Sequence, residues 1–171
     1  MLGRTRDFVF CLRLRRIWPQ KCRTLVLDFD GVLTDDLVLT STEGIEYVRS
    51  SRSDGMGIEL LLRNGYEIVV ISKETNGVVK ARCRKLGVPC YQSVEEKLPC
   101  LIKLADDLHV QLSDICYIGN DVNDVACLGA VGMPLVVSDA HRSAKTVSAL
   151  KIPRRGGLGA IRLVADALLQ Q

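Results

Sequence analysis

The sequence predicts an α/β fold built on a mostly parallel sheet, and three observations carry that prediction. Short apolar runs recur along the chain, each bounded by polar or turn residues, as buried parallel strands are. Stretches with helical spacing separate them, so strands and helices alternate. Several runs end on Asp, Ser or Asn residues, and ligands of such sheets bind beyond the carboxyl ends of the strands.

Taken in order, Leu25-Val26-Leu27 is a first strand that ends on Asp28. Residues 37–50 carry β-prone residues on both sides of Glu43-Gly44, which predicts a hairpin with the glycine in its turn. Asp54-Gly55 precedes a helix through Ile58, Leu60, Leu61 and Leu62 that stops near Asn64-Gly65. Ile68-Val69-Val70-Ile71 is a second strand, ending at Ser72. A polar, basic helix runs from Asn76 to Leu86 and closes at Gly87. Val88 to Tyr91 makes a short third strand. Glu95 to His109 is a helix with Leu98, Leu101, Ile102, Ala105 and Leu108 on one face and Pro99 in its first turn. Ile115-Cys116-Tyr117-Ile118 is a fourth strand, ending at Gly119-Asn120-Asp121. A short helix from about Asp124, a fifth strand near Pro134 to Val137 and an amphipathic helix from Gly159 to Leu169 complete the pattern. These elements describe a Rossmann-like parallel sheet with helices on both faces, a small β-hairpin flap and no stretch long enough for a cap domain.

A chain of 171 residues suits one domain, and 47% hydrophobic content supports one core. No apolar run is long enough to span a bilayer. Residues 1–23 hold seven Lys/Arg and one acid, Asp7; the rest holds 16 basic and 19 acidic side chains, a net of −3. An acidic body does not favour nucleic acid as a partner, and no membrane partner is expected. Residues 1–22 read as a basic, loosely ordered extension before a domain over 23–171. Arg13, Arg15 and Arg16 interrupt any signal-peptide core, while a transit peptide or a basic surface contact stays open. Seven scattered cysteines, none in a CxxC pair, point to free thiols in a reducing compartment, the cytoplasm.

Asp28 and Asp30 leave the strand end in a similar direction and repel each other, so they want a cation between them. Hard oxygen ligands suit Mg2+, which keeps several waters and meets phosphate directly. A bare Asp-x-Asp also fits a solvated acidic turn; Gly31 and the apolar strand before it shift the balance. The spacing suits covalent phosphoryl transfer, with Asp28 as nucleophile and Asp30 as general acid and base.

Asp28-Phe29-Asp30-Gly31-Val32-Leu33-Thr34-Asp35 resembles the first motif of the haloacid dehalogenase (HAD) superfamily. Ser72 matches the second motif, whose hydroxyl binds the phosphoryl group, and Lys97 the third, which steadies its charge. Gly119-Asn120-Asp121-Val122-Asn123-Asp124 is similar to the fourth, which completes the metal site. The resemblance implies a HAD-like fold and a Mg2+ site of Asp28, the Asp30 backbone carbonyl and Asn120, with Asp121 and Asp124 as direct or outer partners. It is closest to the capless group that hydrolyses 3-deoxy-manno-octulosonate 8-phosphate or nonulosonate 9-phosphates, including domains associated with CMP-sialic acid synthetases. The hairpin, Ser53-Asp54-Gly55-Met56-Gly57-Ile58, Ala140-His141 and Gly156-Gly157-Leu158-Gly159-Ala160 carry this closer likeness. It implies a homotetramer in which a neighbouring subunit covers the site, and substrate contacts at Asp54, Gly55, Lys73 and Leu158.

Three positions depart from the family pattern. Asn120 stands where the fourth motif usually has Asp, so the metal site loses a charged ligand. Leu158 stands where octulosonate phosphatases have an Arg able to hold a carboxylate, which points to a nine-carbon rather than an eight-carbon sugar acid. Ser72-Lys73-Glu74 replaces the frequent Thr-Gly-Arg or Thr-Gly-Glu. The expected function is a Mg2+-dependent phosphomonoesterase of a 2-keto-3-deoxy sugar acid phosphate, working through an aspartyl-phosphate. The alternative is a catalytically weak or inactive HAD assembly module of CMP-sialic acid synthesis, which Asn120 favours. A response-regulator receiver shares the sheet, but Lys97 before a helix rather than after a late strand argues against it.

Overall fold

Leu25, Val26 and Leu27 are fully buried because their strand is central. The computed structural model describes residues 2–170 and places β1 (Thr24–Leu27) in the middle of a six-stranded parallel sheet. β1 pairs with β4 (Glu67–Ile71) on one side and β6 (Ile115–Gly119) on the other. Beyond β4 lies β5 (Cys90–Tyr91); beyond β6 lie β7 (Met133–Val136) and β8 (Leu150–Lys151). A strand covered on both faces can be apolar at every position, which is why these runs show no alternation. A separate antiparallel hairpin joins β2 (Thr34–Thr40) to β3 (Glu46–Ser50), with Gly44 at φ 78 in the turn.

The chain leaves β1 for β4 and β5, then returns to β6 and moves out to β7 and β8. Right-handed crossovers therefore put α2 (Arg52–Arg63) and α3 (Val78–Leu86) on one face. They put α4 (Lys97–Asp107), α5 (Val125–Ala130) and α6 (Arg142–Val147) on the other. The packing agrees: α7 (Ala160–Leu169) lies on α2, while α5 touches α4 and α6. The change of direction between β1 and β6 opens a crevice at their carboxyl ends.

Most expected ends hold. α2 starts earlier than Asp54-Gly55, because the Ser51 hydroxyl caps the backbone N–H groups of Ser53 and Asp54. α3 closes at Gly87, in the left-handed region at φ 71, and α4 starts at Lys97, so Pro99 falls in its first turn. The expected third strand shrinks to the two residues of β5. α6 and β8 are too short to show a period and were not expected.

Residues 2–17, expected as part of a loosely ordered extension, form the helix α1 (Leu2–Ile17). Phe10 and Leu14, one turn apart, are buried in the shared core, and α1 lies against α7. Arg15 Nε donates to the Ala167 carbonyl at 2.5 Å, and Arg154 pairs with Asp7. The alternation of Phe8, Phe10, Leu12 and Leu14 hid this, since only Phe10 and Leu14 face inward while Phe8 and Leu12 stay exposed. No helix among the described residues is long and apolar enough to cross a membrane.

Leu14→Ala should lower the unfolding free energy by about 2–4 kcal/mol, read from urea denaturation, whereas Phe8→Ala should stay within about 0.5 kcal/mol. Equal, small losses from both would mean that α1 adds nothing to the core.

Candidate active site

Three neighbouring strands deliver three polar side chains to one crevice. Asp28 directly follows β1, Ser72 follows β4 and Asn120 follows β6, and all three residues are buried. The Asp28 N–H donates to the Ile118 carbonyl at 3.0 Å, which ties the end of β1 to β6. The chain then turns sharply, and the Phe29 carbonyl accepts from Leu33 and Thr34 at 2.9 and 3.1 Å. Gly31 makes the turn at φ 75; a Cβ there would sit 2.0 Å from Asn120 Nδ2, so no other residue fits.

Asp28 Oδ1 accepts from the Phe29 N–H and from Lys97 Nζ, each at 2.7 Å. Both contacts fall on one oxygen, which leaves Oδ2 for the cleft. Lys97, the first residue of α4, reaches Asp124 Oδ1 at 2.8 Å with the same ammonium. Asp124 is fully buried and takes four donors: Lys97 and the Tyr117 hydroxyl on Oδ1, both at 2.8 Å, and the N–H groups of Asn120 and Asp121 on Oδ2, at 2.8 and 3.2 Å. The Ser72 hydroxyl oxygen accepts from the Glu74 N–H at 3.1 Å, so its own hydrogen is left to donate elsewhere.

Two buried carboxylates and one ammonium leave a net negative charge. Burial pushes the Asp28 carboxyl up to about 8; Asp124 adds to the rise and Lys97 opposes it. Burial also works against the Lys97 charge, but Asp28 and then Asp124 hold it above the ordinary lysine value. Asp30 rises to about 6, through burial first and the Glu74 charge second. Burial, then Asp124 and Asp28, raise the Tyr117 phenol well above its ordinary value, so it stays a protonated donor.

The residues present fit a magnesium ion. Asn120 Oδ1 is buried without a hydrogen-bond partner, while its Nδ2 lies against Gly31. An orphaned oxygen beside an under-neutralised carboxylate suits a hard cation. Among the described residues no group of three His, Cys, Asp or Glu side chains is placed to hold a metal, and Asn120 lies outside those four residue types. The ion would rest on Asp28, the Asp30 carbonyl and the Asn120 amide. Asp124 has spent both oxygens and falls in the outer position of the two that the sequence left open. Asp121 caps the following turn through the Val122 N–H at 2.7 Å and stands at the cleft rim.

The cleft measures about 420 Å³, and Asp28, Asp30, Ser72, Lys73, Asn120 and Asp121 are among its lining residues. Lys73 sits at the rim, paired with Glu95 at 2.9 Å. Asp54, Gly55 and Leu158 do not reach it. The Asp54 carboxylate is spent on the start of α7, accepting from the Gly159 and Arg162 N–H groups at 3.0 and 2.9 Å. Gly55 faces Arg82 and Leu86, and Leu158 is exposed over a groove beside Asp7 and Arg162. The glycines before Leu158 have a backbone reason: a Cβ on Gly156 would fall 1.8 Å from the Gly31 carbonyl oxygen. Gly157 N–H donates to the Val32 carbonyl at 2.9 Å, so this segment clasps the loop after Asp28. Sequence reading missed Tyr117, whose one signal was a phenol in an otherwise apolar buried strand.

With this geometry in hand, similarity to known proteins is informative. No family model matches the chain. The 3-deoxy-D-manno-octulosonate 8-phosphate phosphatase KdsC of Escherichia coli K12 is 34% identical over 158 residues, covering 88% of this chain and 80% of its own length. The N-acylneuraminate cytidylyltransferase of Oncorhynchus mykiss is 32% identical over 155 residues, which is 88% of this chain but 36% of that protein. The solved 3-deoxy-D-manno-octulosonate 8-phosphate phosphatase of Moraxella catarrhalis, in complex with magnesium, phosphate and KDO, superposes with a TM-score of 0.86 at 28% identity and covers 92% of both chains.

Asn120→Asp should tighten magnesium binding at least about tenfold, or ~1.4 kcal/mol, by calorimetry on the metal-free protein. Unchanged affinity would place the ion away from residue 120.

Proposed function

The chain belongs to the KdsC-like phosphatases of the HAD superfamily, and we propose that Asp28 attacks the phosphomonoester of a 2-keto-3-deoxy sugar acid. The observation that carries the site assignment is the pairing of Asp28 Oδ1 with Lys97 at 2.7 Å on a residue that lines the cleft. Oδ2 attacks phosphorus as the bond from phosphorus to the sugar oxygen breaks, and Asp30 gives that oxygen a proton. Asp30 then takes a proton from water, the water oxygen attacks phosphorus, and phosphate leaves Asp28. The Ser72 hydroxyl and the Lys97 ammonium hold the phosphoryl oxygens through both steps. Magnesium, when bound by Asp28, the Asp30 carbonyl and Asn120, offsets charge between nucleophile and phosphoryl group.

The substrate is an octulosonate 8-phosphate or a nonulosonate 9-phosphate. Likeness to KdsC supports the first, and likeness to part of the trout cytidylyltransferase supports the second. Leu158 does not decide between them from within one chain, because it stands outside the cleft.

We also propose a homotetramer. Leu37, Val38, Leu39, Ile45 and Tyr47 of the hairpin are exposed apolar side chains that want cover. Asp36, on β2, lines the cleft, so a neighbour seated on the hairpin also shields its mouth. A cytoplasmic setting is supported by seven free thiols.

A second reading keeps the fold and drops the turnover: an assembly module of CMP-sialic acid synthesis, favoured by the uncharged Asn120. One panel separates the two. Phosphate release from eight- and nine-carbon keto-acid phosphates should require magnesium, stop with EDTA and fall by more than about 10³-fold in Asp28→Asn. Retained turnover in that variant removes the nucleophile assignment. An oligomeric wild-type protein inert across the panel favours the assembly module.

A further inference from the structure

Tyr117 heads the fully buried side chains by volume, and it stands in β6 among Ile115, Cys116 and Ile118, all fully buried. An aliphatic side chain would serve packing there equally well, so the hydroxyl needs its own account. It donates to Asp124 Oδ1 at 2.8 Å, the oxygen that also receives Lys97 at 2.8 Å. The other oxygen is taken by the N–H groups of Asn120 and Asp121. Two donors on each oxygen leave the carboxylate no freedom to rotate. One edge of it then faces the lysine and the other faces the backbone that carries Asn120.

Lys97 divides one ammonium between Asp124 and Asp28, at 2.8 and 2.7 Å. The share going to Asp28 depends on how strongly Asp124 Oδ1 competes for it. A neutral hydroxyl on that oxygen draws on its negative charge without adding a charge of its own.

We propose that Tyr117 is a positioning residue of the phosphatase reaction: through Asp124, its hydroxyl keeps the Lys97 ammonium forward against Asp28. This rests on the phosphatase reading above. Tyr117 touches neither the cleft nor the substrate. Without the hydroxyl, Asp124 draws Lys97 back, and the ammonium no longer meets the phosphoryl group where its charge changes. Ground-state binding, shared with Ser72, the cleft rim and the metal site, changes little.

The test is steady-state kinetics of Tyr117→Phe, which removes one oxygen and leaves the ring, on a sugar acid phosphate that the wild type hydrolyses. The expected result is a kcat about 10- to 100-fold lower with KM within about threefold. In an Asp124→Asn background the same change should cost nothing further, because the hydroxyl acts only through that carboxylate. A kcat within about twofold of wild type, a KM that moves as much as kcat, or a full extra loss in the Asp124→Asn background overturns the proposal. If Asp124→Asn does not fold, the split between kcat and KM in Tyr117→Phe alone decides. A wild type without turnover sinks the phosphatase reading instead, so the two failures are distinct.

Discussion

The site depends on one buried ammonium. Lys97 lies between Asp28 and Asp124, with each contact under 3 Å, and none of the three side chains is more than slightly exposed. Burying charges is costly, and pairing offsets that cost only where geometry and extra hydrogen bonds are good. Here the extra bonds are the Phe29 N–H on Asp28 and three more donors on Asp124. With both acids ionised the triad carries one negative charge in excess, which adds to burial in raising the Asp28 carboxyl and which a divalent cation would offset.

The scaffold for this triad was largely legible in the sequence, for a physical reason. Strands buried on both faces are largely apolar, so β1, β4 and β6 stand out, and Asp28, Ser72 and Asn120 stand out because they follow those runs. Lys97 was found through its place in a motif rather than through burial, since no residue pattern marks a lysine that turns inward. Other contributors left weaker traces. α1 buries Phe10 and Leu14 but leaves Phe8 and Leu12 exposed, so its apolar content reads as alternation. Tyr117 was absorbed into a strand. Asp54 and Leu158 sit in segments shared with the family, yet within this chain the Asp54 carboxylate caps α7 and Leu158 is exposed. Sequence likeness marks a segment as constrained, but it does not separate a ligand contact from a helix cap.

The uncharged Asn120 changes the balance of the site without disturbing its shape. Its backbone N–H still anchors Asp124, and its Nδ2 still fills the space beside Gly31. What changes is the charge offered to the metal. With the proposed ligands, Asp28 would carry more of the ion's charge, while Lys97 already claims one of its oxygens. Metal and lysine would then compete for one carboxylate more directly than where a second acid shares the task.

The clasp of Gly156 and Gly157 on the loop after Asp28 joins residues about 125 positions apart, backbone to backbone. No side chain mediates it, so no local preference can build it early. A contact of such long sequence separation forms late, after loop closure has been met by other pairings. During synthesis Asp28 leaves the ribosome about 125 residues ahead of the strap that shapes its loop. The nascent chain therefore holds Asp28 well before the loop around it can take its final shape.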